Sequence, residues 1–338
     1  MKLYGGIDLH SNNSVISIID EHDKLHYERR LPNDLGLIVE QLSPYQKGLQ
    51  GLVVESTFNW YWLVDGLMDM NYRVHLANTA AIVQYQGLKY TDDKHDARWL
   101  AHMLRLGILK EGYIYPKHER AVRDLLRKRS QLVRQRTAQI LSIQNLVARN
   151  TSQQLNGQDV KRLDDKALDT LLAMEEQALA AKANLAVLQT LTEQLKGLEQ
   201  AVRARVKPRV DMKHLKTIAG VGDILGWTIL LETGDIGRFG RTGQYASYCR
   251  CVDSKRQSNG KKKGENNRKN GNKYLAWAFV EAANFAVRYH PPVKRFYQRK
   301  KARTNGVVAI KAVAHKLARA TYHVLREQVP FDIHKAFA

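Results

Sequence analysis

The chain opens on short apolar runs separated by turn residues and then changes to long helical periods, and that change sets the fold class. "KLYGGIDLH" reads as an apolar strand ending near an aspartate, "SNNS" supplies turn chemistry, "VISIID" is a second strand and "KLHYERRL" a third. This is an antiparallel meander. A helical stretch near "DLGLIVEQL" precedes "LQGLVVES", a buried strand with Glu55 at its end. "WYWLVDGLMDMN" reads as the helix leaving that strand and "YRVHLAN" as a fifth strand. Three hairpin-like strands followed by alternating helix and strand describe an α/β domain with a mixed sheet.

Beyond Arg120 the period is helical almost throughout. Residues 120–150 form a basic helix with Leu125, Leu126, Leu132, Val133, Ile140, Ile143 and Leu146 along it, so that one face is expected to pack and the other to be cationic. Residues around 164–206 form another helix, whose Leu188, Leu191, Leu195, Leu198 and Val202 alternate spacings of three and four. That is a coiled-coil seam, closing either on this chain or on a second copy. "LKTIAGVGDILGWTILLETGDI" gives two helical pieces around Gly220-Val221-Gly222, either a phosphate-presenting glycine hairpin or an ordinary αα-hairpin. Residues 254–273 hold too many glycines, asparagines and charges to pack, and a cationic loop is expected there. "VVAIKAVAHKLARATYHVLREQ" closes the chain as a basic amphipathic packing helix.

Charge narrows the partner. Lysine and arginine total 54 against 33 acidic residues among 338, a net charge of +21, which is the footprint of a protein that meets a polyanion, with nucleic acid the leading choice. A membrane surface attracts the same charge, but no apolar run has spanning length and "MKLYGGIDLHSNN" has no signal pattern, so a cytoplasmic location is expected. Cys249 and Cys251 would share a face if they lay on a strand, yet no further ligands are near, and two ordinary thiols are expected rather than a zinc site.

"TDDKHDAR", residues 91–98, poses the chemical question. Three aspartates crowd the start of a helix, where one would serve as N-cap and where the helix dipole favours carboxylates without any metal. Asp93 and Asp96, or Asp92 and Asp96, would share one helix face. On its own the stretch reads as an acid-rich helix start. If the first and fourth strands are neighbours, as in a ribonuclease-H-like sheet, Asp8 and Glu55 converge with it, and Mg²⁺ would offset the mutual repulsion of the carboxylates.

"GIDLH", "VVES" and "DDKHDAR", followed by "SNGKKKG" and "KNGNKYL", are a familiar order and spacing. Along nearly its whole length the chain resembles the DEDD transposases of the Piv/MooV type, the insertion-sequence family numbered one hundred and ten, whose members are recombinases guided by a bridge RNA. The resemblance implies a RuvC-like catalytic domain over 1–150 ending in the basic helix, a helical coiled-coil segment over 151–208, and a mainly helical transposase domain over 209–338 with a serine loop. It implies Asp8, Glu55, Asp93 and Asp96 as ligands of Mg²⁺ or Mn²⁺, with Asp92 left as the cap. It implies a serine nucleophile at Ser258. Ser254 stays an alternative, because Asp253 stands where proline is common and Asn259 separates Ser258 from Gly260.

Nucleic-acid contacts are expected from Arg127, Lys128, Arg129 and Arg134 of the basic helix, and from Lys255, Arg256, Lys261, Lys262, Lys263, Arg268, Lys269 and Lys273 in and beside the loop. The implied partners are the DNA of element ends and target, a bridge-type guide RNA and further copies of the chain in a dimer or tetramer, within a bacterial cytoplasm. Two other functions fit the residues: a RuvC-like nuclease that hydrolyses DNA with water and needs no serine, and a nucleic-acid-binding scaffold whose acids are structural.

Overall fold

The structure is a computed structural model that describes residues 1–82, 92–206, 209–252, 255–265 and 270–338; at 255–258, 262 and 265 it describes the backbone alone. The chain divides into two compact units, residues 1–117 with 254–270, and residues 118–253 with 271–338. The division falls at Lys117, so the basic helix expected at the end of the first domain belongs with the second unit.

In the first unit β1 (Leu3–Leu9), β2 (Asn13–Asp20) and β3 (Leu25–Pro32) form the antiparallel meander. Helix α1 (Leu35–Leu42) leads to β4 (Leu49–Glu55), and α2 (Tyr61–Asp69) to β5 (Val74–Ala77). The five strands are ordered β3-β2-β1-β4-β5, with β1, β4 and β5 parallel. This is the mixed sheet of a ribonuclease-H-like domain. One face carries a core in which Ile7, Leu52 and Val54 of the sheet meet Ile38 of α1 and Leu63 of α2. The other is covered by α3 (Asp93–Arg105), whose Leu100 and Met103 cluster with Val53 and Ala77.

Gly6 sets how closely α3 can lie on β1. A Cβ built there would stand 1.9 Å from the carbonyl oxygen of Ala97 and 2.8 Å from the nitrogen of Ala101, so any side chain would collide with helix backbone. Gly6 and Asp8 are two apart on one strand and share a face, so the contact that Gly6 permits brings the N-terminus of α3 over Asp8.

The second unit is helical among its described residues. Helix α4 (Lys117–Thr151), then short α5 (Gly157–Arg162) and α6 (Asp165–Leu171), lead to α7 (Glu175–Val206). α4 and α7 run antiparallel: Gln177 bonds Asn150, Asn184 bonds Ser142 and Arg129 bonds Glu199, while Ile143 and Val147 pack with Leu185 and Leu188. The seam therefore closes within the chain.

Around the base of that hairpin lie α8 (Val210–Leu215), α9 (Asp223–Thr233), α10 (Thr242–Tyr248), α11 (Lys273–Tyr289), α12 (Pro291–Arg303), α13 (Gly306–Glu327) and α14 (Ile333–Phe337). Leu230, Phe279 and Leu317 are central to their core. Gly220, at φ +80°, would place a Cβ 2.1 Å from the Ala282 carbonyl, and Asp223 occupies the first turn of α9 in ion pairs with Lys216 and Arg203. Both features favour an ordinary αα-hairpin over a phosphate cradle, since a carboxylate already sits where a phosphate would.

Candidate active site

Asp8 and Glu55 lie at the ends of the two central parallel strands. Ile7 is opposite Val54 in the β1–β4 ladder, so the following residues are neighbours on the face covered by α3. Asp92 is the N-cap of α3, its carboxylate accepting from the His95 backbone N–H at 2.7 Å, which leaves Asp93 and Asp96 in the first turn. The four acids named from the sequence thus come to one place, with Asp8 4% exposed.

Their electrostatics are those of carboxylates crowded together. The Glu55 carboxyl hydrogen-bonds to Asp8, and its pKa is pushed up to about 8 by burial first, then by that bond and by the charges of Asp8 and Asp96. Burial likewise raises Asp8; Asp96 and Asp93 add to the rise, while the bond to Glu55 and the nearness of His10 oppose it. Asp96 Oδ1 is buried without a hydrogen-bond partner, a costly arrangement for a carboxylate oxygen.

His10 enters the group although sequence reasoning passed over it. Its Nε2 stands 3.2 Å from Asp8 Oδ2 and 3.3 Å from Asp93 Oδ2, and the three ligand atoms lie within 4.8 Å of one another. The signal was its position two residues past Asp8 in "GIDLH". Asn33 and Asn59 donate side-chain N–H groups to the His10 carbonyl at 3.0 and 2.9 Å and so hold the turn, while Arg30 donates to Asp93 at 2.5 Å. A site rich in carboxylate oxygen, with one imidazole and one buried oxygen that accepts no hydrogen bond, fits a divalent cation.

The expected cationic loop contains an ordered hairpin, β6 (Lys255–Ser258) and β7 (Lys261–Glu265). Asn259 and Gly260, at φ 50° and 70°, form the two-residue turn that Asn-Gly favours, and this local turn chemistry overrides the composition that argued for a loop. Ser258 is the last residue of β6, paired with Lys261 at the tip. Lys261 and Lys263 are exposed, as is Lys273 at the start of α11. Ser254, Arg268 and Lys269 lie outside the described residues, as do the side chains of Lys255, Arg256, Ser258 and Lys262.

The residues that flank the hairpin segment meet within the helical unit. The Cys251 N–H donates to Ala246 O at 3.0 Å, and the Asn272 N–H to Tyr248 O at 2.6 Å, so the chain leaves and rejoins at the end of α10. Asn272 also donates to Glu232 Oε2 at 2.7 Å and caps α11. Arg127 grips the same carboxylate with Nε and Nη2 at 2.6 and 2.7 Å and stacks over Tyr274. That differs from the cationic face expected of the basic helix. Arg120 and Arg123 are buried, Arg127 is bonded to Glu232 and Arg129 to Glu199, with carboxylates from α9 and α7 that no inspection of the helix alone could supply. Lys128 bonds Gln131, and Arg134 is exposed. Cys249 and Cys251 lie at and just past the end of α10 and not on a strand; burial raises both thiols, Cys251 to about 12, which makes them inert.

The sheet order and the acids gathered over its central strands define a ribonuclease-H-like protein with a helical second unit. Residues 5–150 match the DEDD transposase model of IS110, and residues 212–298 match the model described as Transposase IS116/IS110/IS902 family. The chain belongs to the IS110 family of DEDD transposases. It is 24% identical over 296 residues to a "Probable family 20 transposase" of Pseudomonas aeruginosa, covering 84% of this chain and 83% of that one. It is 24% identical over 294 residues to the "Transposase for insertion sequence element IS1111A" of Coxiella burnetii, covering 84% and 78%. No helix among the described residues is long and apolar enough to cross a membrane.

Proposed function

We propose that this transposase cuts and exchanges DNA strands through a composite site, in which Asp8, Glu55, Asp93 and Asp96 hold a divalent cation and Ser258 is the nucleophile. The observation that carries this reading is the meeting of four acids around a buried Asp96 oxygen that accepts no hydrogen bond, with only the His95 ring 3.7 Å away. A cation bound there would neutralise charge on the attacking and leaving oxygens. The Ser258 oxygen loses its proton and forms a new P–O ester bond, while the scissile P–O bond breaks and its oxygen leaves as a hydroxyl on the DNA. Grouping of residues 254–270 with residues 1–117 supports a serine that works with those acids. Arg30 orients Asp93, and exposed Lys261, Lys263 and Lys273 are suited to the DNA backbone. A bridge-type RNA supplies sequence choice, several copies of the chain act together, and the reaction runs in a bacterial cytoplasm.

The test mixes the full-length protein and its co-purified RNA with DNA from the element's own ends in Mg²⁺, then traps and maps any covalent adduct. An adduct at Ser258 that disappears in Asp8→Asn is expected. An adduct at Ser254 would move the nucleophile, metal-dependent cutting without any adduct would indicate hydrolysis by water, and binding without cutting would make the acids structural.

A further inference from the structure

Several cations of α4 and α7 are paired: Arg127 with Glu232, Arg129 with Glu199, Arg203 with Asp223, and Lys182 with Asp169. Those of α12 are not. Lys294, Arg295, Arg299, Lys300, Lys301 and Arg303 are all exposed, and among the described residues none of them has an ion pair. The sequence offers them no local partner, because no aspartate or glutamate lies between Glu281 and Glu327.

Their arrangement on the helix is regular. Arg295, Arg299 and Arg303 are four apart and form one row with a rise of about 6 Å per step; Lys294 and Lys301 form a second row, with only Gln298 and Ala302 between the rows. Like charges at this spacing destabilise a helix by a few tenths of a kcal/mol per pair, and Lys294 and Arg295 also oppose the dipole in the first turn. The helix is held regardless. Val293 is buried, Phe296 meets Phe337 edge to face, and Lys316 lies over both rings, so the apolar side is spent on the core and only the cationic side faces out. A cleft of about 440 Å³ opens beside it, where Arg295 and Arg299 are joined by Gln298 and His334.

We propose that α12 is a docking surface for the phosphodiester backbone of duplex DNA, engaged without regard to base sequence. A rigid, acid-free double row of long cationic side chains matches a regular line of phosphates, and the residues between the rows, Gln298 and Ala302, offer no large apolar side chain to a lipid surface. The proposal rests on the family and not on the composite site.

The test uses the full chain and a duplex of arbitrary sequence in a chelator, so that cutting plays no part. The triple variant R295Q/R299Q/R303Q is compared with the unmodified protein by fluorescence anisotropy over a range of salt, with circular dichroism to confirm the fold. The slope of log affinity against log salt should fall by about three, and affinity at about 0.1 M salt by roughly two orders of magnitude. An unchanged slope overturns the proposal and leaves α12 a solvated face. A loss seen with duplex RNA but not with duplex DNA also overturns it and assigns the surface to RNA. The chelator removes the cation on which the composite site depends, so failure here is distinct from failure of that site.

Discussion

The Glu55 carboxyl shares a hydrogen bond with Asp8 across the parallel β1–β4 ladder. A buried acid and a half-buried one can sit this close when one of them keeps its proton, and burial with the Asp8 bond pushes the Glu55 carboxyl up to about 8.

Stability in a chelator should therefore fall as pH rises. Glu55 is raised from 4.5 to about 8, so the folded state binds more protons than the unfolded state between those values. The contribution is full below pH 4.5 and is lost as pH climbs through about 8. Melting curves across that range should show a declining midpoint, flattened in Glu55→Gln. An equally steep decline in that variant would place the titration elsewhere.

Adding Mg²⁺ or Mn²⁺ to the chelated protein should raise the melting midpoint of the first unit, because a cation bound only by the folded state stabilises it by about 2.7 kcal/mol at a hundredfold excess over Kd. Asp96→Asn should remove most of that rise. His10→Ala should weaken Mn²⁺ more than Mg²⁺, since imidazole suits the softer ion; isothermal titration separates the two.

Gly6→Ala should be among the most damaging single changes in the first unit. Its methyl group would have to displace the backbone of α3 at Ala97, at a cost of about 3 kcal/mol, and Asp93 and Asp96 would move away from Asp8 with it. Denaturant unfolding reads the stability, and cation titration of whatever remains folded reads the site.

Arg127→Ala should destabilise the helical unit by about 3–5 kcal/mol, because it leaves Glu232, 2% exposed, without its principal counter-charge. Arg127→Met with Glu232→Leu should recover much of that loss in the same unfolding measurement. A cost for Arg127→Ala near that of an exposed ion pair would refute the assignment.

The strands themselves and the helix that carries the aspartates were legible because apolar period and capping chemistry are local, whereas the pairing of β1 with β4 entered only as a condition. The "SNGK" hairpin was legible too, yet the glycine, asparagine and lysine content of its surroundings outweighed two residues of turn signal. What the sequence withheld is partnership at a distance. Nothing near Arg127 announces Glu232, 105 residues on, so the helix read as a cationic face when much of its charge is internal. Gly6 in turn is visible as a glycine, but the helix backbone it admits belongs to residues some ninety positions later.

The bonds from Cys251 to Ala246 and from Asn272 to Tyr248 make the α10–α11 junction continuous in space although the chain departs between them. In architectural terms the segment that carries Ser258 is an insertion between α10 and α11, and the helical core closes on itself as if that segment were absent. Closure entropy grows only slowly with loop length, so what lies between these two anchors can lengthen, shorten or change its charge with little effect on core stability. Variation can therefore concentrate in the inserted segment, while the helical core stays the same.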